Sequence, residues 1–207
     1  MNRLARILVT ASLLVAVAAP ASAVAAPTSA AAGTALDTFR AGHTKVVELV
    51  AKRADAAAIQ KEVDGLLDYH ALAEESLGGA SRYAERCGTR CAEFEGLLAR
   101  LIRENYLRRI RSDKEHSVQF LGEEARARGT KVRTVINYQK EGKDAVVEVD
   151  YVMHESDGRW QVRDIVTDGV SLAKNYKYEF NQILKTDGID GLIGRLESKL
   201  AVLAKKD

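Results

Sequence analysis

Apolar positions recur at helical spacing through the first half of the chain. Phe39, His43, Val46, Val47 and Val50 fall every three or four residues and predict a first helix. Ile59, Val63, Leu66 and Leu67 predict a second over Ala57 to Leu67. A third, shorter helix covers about Tyr69 to Leu77 and stops at Gly78-Gly79. After a loop that holds two cysteines, Phe94, Leu97, Leu98, Leu101, Ile102 and Tyr106 share one broad face of a long helix ending near Arg111.

The period then changes to two. Val118 and Phe120 alternate with polar neighbours. Val132, Thr134, Ile136 and Tyr138 line one face of a strand, with Lys131, Arg133, Val135 and Asn137 on the other. Glu141-Gly142-Lys143 predicts a hairpin turn. Val147, Val149, Tyr151 and Met153 follow on one face, and Ser156-Asp157-Gly158 predicts another turn. Trp160, Val162 and Val166 continue at even spacing, which places Asp164 among inward positions. Helical spacing returns with Tyr176, Phe180, Ile183 and Leu184 and breaks at Asp187-Gly188. Asp190 has the position of an N-cap for a last helix carrying Leu192, Ile193, Leu196, Leu200 and Leu203. Helices, a meander of about four antiparallel strands, then helices predict one α+β domain over residues 35–207, with helices covering one side of a curved sheet. Periodicity alone leaves open whether sheet and helices close into a solid core or around an apolar cavity.

The first residues have the features of a processing signal. Arg3 and Arg6 form a basic start, Ile7 to Ala19 carries no charge, and Ala21-Ser22-Ala23 is a small-x-small cleavage pattern. The expected division is a signal peptide over 1–23, a flexible Ala-rich lead-in over 24–34, and export as a free soluble protein. An uncleaved anchor is the alternative. Removing Arg3 and Arg6 leaves 29 basic and 29 acidic residues. A nucleic-acid binder would carry a basic excess, so nucleic acid is not an expected partner.

Cys87 and Cys91 are the only cysteines. In an oxidising compartment such a pair favours a disulfide; free thiols, or redox or metal chemistry, are the alternatives. The pair lacks the Cys-x-x-Cys spacing of redox motifs. His43, His70, His116 and His154 are scattered in no metal-ligand spacing, and His43 on its apolar face suits a packed neutral imidazole. Neither a Gly-x-Ser-x-Gly elbow nor a P-loop occurs. No catalytic residue, metal site or cofactor is therefore expected. Asp164 fits a carboxylate held by hydrogen bonds at the sheet edge better than a general base.

The segment from Trp160 to Phe180 carries a more specific signal. Trp160-Gln161-Val162-Arg163-Asp164 leads into Gly169-Val170-Ser171-Leu172, then Asn175-Tyr176 and Phe180. This resembles the signature of the MlaC, or toluene-tolerance, family. Gly188-Ile189-Asp190-Gly191-Leu192-Ile193 is similar to the family's closing helix, and Leu67-Asp68-Tyr69 with Leu72-Ala73 to an upstream element. Tyr83 and Lys177 stand where the family commonly has Trp and Arg, and the cysteine loop has no counterpart in the resemblance.

The resemblance implies an NTF2-like fold with an apolar pocket between sheet and helices that takes phospholipid acyl chains. It also implies a periplasmic carrier that shuttles between an outer-membrane lipoprotein complex and an inner-membrane ABC transporter with an MCE-type subunit. The expected lining is Val118, Phe120, Val132, Ile136, Val147, Val149, Tyr151, Val162 and Leu172 from the sheet side, with Leu98, Leu101 and Tyr176 from the helices. Ser171 and Asn175 are expected to cap the helix that begins near Leu172, and Gly169 to relieve the turn before it. An NTF2-like isomerase or dehydratase using Asp164 with Tyr151 or Tyr176, and a solid-cored interaction module, are the alternatives.

Overall fold

A computed structural model describes residues 33–111 and 116–205. The expected signal peptide and most of the lead-in lie outside the described residues.

Side-chain caps start most of the helices. Thr34 accepts the Asp37 N–H and opens α1, Ala35–Ala51. Asp55 accepts the Ala58 N–H and opens α2, Ala56–Leu66. Asp68 accepts the Ala71 N–H and opens α3, Tyr69–Ser76. Each cap satisfies an amide that the helix cannot pair internally. Two more helices follow, α4 over Ala80–Cys87 and α5 over Cys91–Ile110.

Helix α4 replaces the expected cysteine loop. It is eight residues long and buries Tyr83 and Cys87, which with Ala80 and Ala84 fall at helical spacing. A 3-10 turn, Gly88–Arg90, joins α4 to α5. The Cys87–Cys91 disulfide closes that junction, which decides between the alternatives left open by composition.

The sheet is antiparallel and open, in the order β1 (His116–Arg126), β2 (Gly129–Lys140), β3 (Lys143–Ser156), β4 (Arg159–Thr167), β5 (Val170–Ser171). The α+β expectation holds, with a two-residue fifth strand that is too short to show a period. Directly paired residues share a face. Thr134 faces Val149, and Val132 faces Tyr151, so these four lie together toward the helices. All four are buried.

Two bulges shift the expected alternation. In β1 the register slips between Phe120 and Gly122, which brings Glu123 opposite Val132. From the helix face, the Glu123 carboxylate then accepts the Leu36 N–H at 2.7 Å, where the positive end of α1 favours it. In β4 the slip opposite Val152 and Met153 pairs Ile165 with Tyr151, and Val166 with Asp150. Ile165 therefore faces inward. Asp164 and Val166, expected on the inner face with Val162, sit on the outer face.

The last helix, α6, runs over Leu172–Ala204 from the Ser171 cap. The turn before it needs positive φ at Asp168 and Gly169, as the tight connection expected there requires. Within α6, Gly188 (φ 65°, ψ −167°) breaks the helical backbone, and the chain folds back as a second arm. Asp190 is not a cap: it lies inside the second arm and is paired with Arg90. Among the described residues no helix is long and apolar enough to cross a membrane.

Helices α1 and α2 meet where Gly42 offers no side chain. A Cβ there would lie 2.2 Å from Leu66 Cδ2, and Leu66 is itself buried. Alanine would improve helix propensity by about 1 kcal/mol, but overpacking a dense contact costs about 1–3 kcal/mol. Gly42→Ala is therefore expected to lower stability by roughly 1 kcal/mol, read as the midpoint of urea unfolding. A gain in stability would show that the two helices are not in such close contact.

Candidate functional site

The inner sheet face is covered by α1 and α2, with α5 behind them. Phe39 on α1 sits at the centre of this seam. Its ring lies 3.9 Å from that of Tyr151, centroid to centroid, and 6.3 Å from Phe120. Arg40 lies over the Phe120 ring, its guanidinium carbon 5.1 Å from the ring centroid. The end of α2 is fixed to the sheet, because the Asp68 N–H donates to the Val162 carbonyl at 2.9 Å.

Between these layers a remnant cavity of about 10 Å³ survives, lined by Phe39, Val63, Leu66, Leu67, Tyr106, Tyr151 and Ile165. That is about the space one water molecule needs. The protein's own side chains thus fill most of the expected apolar space in this structure. Among the described residues, every buried side-chain nitrogen and oxygen has a partner, so closure leaves no polar group stranded.

The seam is electrically quiet. Burial pushes the Tyr151 phenol up to about 12, and burial likewise raises Tyr106. Both hydroxyls are neutral at physiological pH. His43, on the same face of α1 as Phe39, shares a 2.9 Å hydrogen bond between its Nδ1 and the Tyr106 hydroxyl. Burial, and then the charge of His116, lowers the His43 pKa below its ordinary 6.5, which keeps the imidazole uncharged as its apolar position implies.

Of the expected lining residues, Tyr151 reaches the remnant cavity. Val132, Val149 and Val162 are buried on the inner sheet face, and Leu98, Leu101 and Tyr176 are buried among the helices. Val118, Phe120, Ile136, Val147 and Leu172 are half-buried. Tyr176 stacks on Phe180, which meets Phe94 edge-on, so it belongs to the packing between α5 and α6. Burial, with Glu179 adding to it, raises the Tyr176 phenol to about 12.

Sequence reasoning missed Phe39, Val63, Leu66, Leu67, Tyr106 and Ile165 as lining. The first five lay on helix faces already recognised as apolar, and Ile165 was hidden by the β4 bulge. Asp164 does not join Tyr151 or Tyr176. It accepts the Ser171 hydroxyl (2.5 Å) and the N–H groups of Ala173 and Ile165 (3.0 and 2.9 Å), and so ties β4 to the start of α6. Ser171 caps α6 through the Lys174 N–H, as expected, whereas Asn175 donates to Glu179.

A larger concavity, about 360 Å³, lies in the elbow between the two arms of α6. Phe180, Ile183, Leu192 and Leu196 line it along with Arg195 and Lys199. It is formed by one bent helix and stands apart from the sheet seam.

This is an open antiparallel sheet whose single covered face meets helices across an apolar seam. The sequence profile of the family described as MlaC protein matches residues 34–198, and the chain belongs to that family. A search of curated proteins finds no match. Among solved structures, a phospholipid-binding protein from Ralstonia solanacearum, in complex with a phospholipid, superimposes with a TM-score of 0.64. It is 20% identical, and the alignment covers 83% of this chain and 99% of that chain. At that identity the likeness bears on the fold.

The depressed His43 pKa makes stability depend on pH. Below 6.5 the unfolded chain takes up a proton that the folded chain resists, so this group's contribution is full above 6.5 and is lost as pH falls. His70, raised chiefly by its hydrogen bond to Glu95, acts in the opposite sense. His43→Gln is expected to shrink the fall in urea midpoint between about pH 7.5 and about pH 5. An unchanged pH profile would mean that His43 is not held neutral by the fold.

Proposed function

We propose that this protein binds a phospholipid by its acyl chains in the seam between the sheet and α1–α2, and carries it as a soluble periplasmic protein. The observation that carries this reading is the seam itself. Seven side chains from three helical segments and two strands meet there, and none is a carboxylate, an imidazole or a cation. Membership of the MlaC family supports the same reading, as does a fold shared with a protein solved with a phospholipid bound.

The physics of transfer fits such a site. A diacyl lipid exposes about 30 methylene groups, each costing about 0.8 kcal/mol in water, so crossing naked faces a gross cost of about 24 kcal/mol. A carrier needs an apolar lining of matching area and no covalent chemistry. The closed seam is then the lipid-free form. Phe39 occupies space that acyl chains take when α1 and α2 move off the sheet.

Export rests on the signal-like pattern of residues 1–23. The partners we propose, an outer-membrane lipoprotein complex and an inner-membrane ABC transporter with an MCE-type subunit, follow from the family. A carrier, not an enzyme, is the reading the site favours, because Asp164 is engaged on the outer face and none of the residues lining the remnant cavity is a carboxylate.

Protein purified without detergent from cells that export it is expected to release phospholipid on solvent extraction, identified by mass spectrometry. Finding none would remove the carrier reading. Phe39→Ala offers a sharper test. In the lipid-free protein the deleted ring leaves a cavity and costs about 3–5 kcal/mol. In the lipid-loaded protein the chains fill that space, and the loss is expected to be much smaller. Equal losses in both forms would mean that Phe39 is ordinary core and does not share its site with a ligand.

A further inference from the structure

An ion pair between α2 and α5, Asp64 with Arg103, lies within one helical turn of residues that line the seam. Arg103 on α5 lies one turn before Tyr106, and Asp64 on α2 follows Val63; Tyr106 and Val63 both line the remnant cavity. Arg103 Nη1 donates to both oxygens of Asp64, at 2.8 and 2.9 Å. The Tyr69 hydroxyl donates to the same carboxylate at 2.8 Å. The Arg103 side chain is only 12% exposed. Its Nε and Nη2 have no hydrogen-bond partner among the described residues, yet no buried side-chain nitrogen is left unpartnered. Those two nitrogens therefore keep contact with solvent.

A planar guanidinium with a free edge suits a tetrahedral oxyanion. We infer that Arg103 anchors the phosphate of a lipid headgroup at the mouth of the seam, and that Asp64, which also accepts the Tyr69 hydroxyl, is its counterion when no ligand is bound. The inference rests on the phospholipid reading above and adds the polar half of the ligand to it. The phosphodiester accepts from Nε and Nη2 while the acyl chains enter past Val63 and Tyr106. The Asp64 carboxylate, close to the same guanidinium, competes with the incoming anion. It keeps the buried cation neutralised in the empty protein, at the cost of some affinity in the loaded one.

The test compares two lipids with identical chains. Full-length protein is loaded from a detergent-free equimolar dispersion of dioleoylphosphatidylglycerol and dioleoylglycerol, repurified, and its bound lipid measured by mass spectrometry. The wild type is expected to favour the phospholipid. Arg103→Gln should lower the phospholipid-to-diacylglycerol ratio by about ten- to a hundredfold, the value of a charge-assisted hydrogen bond, while total loading persists through diacylglycerol. Asp64→Asn should raise the ratio several-fold. A purely structural ion pair would instead reduce loading of both lipids in both variants, and that result overturns the anchor. So does a ratio unmoved by either substitution, although the carrier reading would then stand. A wild type that takes up neither lipid removes the carrier reading and the anchor with it. Inorganic phosphate in large excess is expected to leave the ratio unchanged, since it brings no chains. If it abolishes the preference, the site takes a free anion and the headgroup assignment falls.

Discussion

An antiparallel sheet with one apolar face has to keep that face from water, and most of this structure follows from how the helices do so. Val132, Thr134, Val149, Tyr151, Met153 and Val162 form a buried surface on β2, β3 and β4. Polar contacts hold the cover in place. Glu123 holds the first turn of α1, the Asp68 amide joins α2's end to β4, and Asp164 fastens the start of α6. Each polar tie is worth about 1 kcal/mol net, far less than the apolar area it positions. Their role is to fix where the cover sits.

The layer order and most element types were legible because burial imposes a period. On β2 and β3 the alternation assigned the inner face correctly from Val132 to Met153. It failed on β4 for a geometric reason. A bulge adds one residue to one strand, and everything beyond it changes face, so Val166 turns out and Ile165 turns in. No residue type marks that slip. The same happened in β1, where Glu123 came to the helix side. Helix α4 escaped notice although Ala80, Tyr83, Ala84 and Cys87 fall at helical spacing, because it is only eight residues long and its cysteine reads as part of a loop.

The site was legible in chemistry more than in membership. The sheet pattern pointed to an aliphatic wall, and the wall exists, but the side chains nearest the remaining space come mostly from α1, α2 and the loop after it. A strand shows its inner face directly through alternation. A helix shows an apolar stripe without saying which part meets a neighbouring helix and which part meets the sheet. Phe39 and His43 share such a stripe; one packs at a tilt against Tyr151 while the other pairs with Tyr106. Arg103 was invisible for a different reason, since its partner Asp64 lies 39 residues away on another helix.

The notch at Gly42 has a mechanical consequence. With Leu66 lodged against a residue that lacks a side chain, α1 and α2 are geared together and cannot slide independently. The Asp68 amide clamps one end of the pair to the Val162 carbonyl. Any widening of the seam would therefore have to carry the two helices together, as one plate.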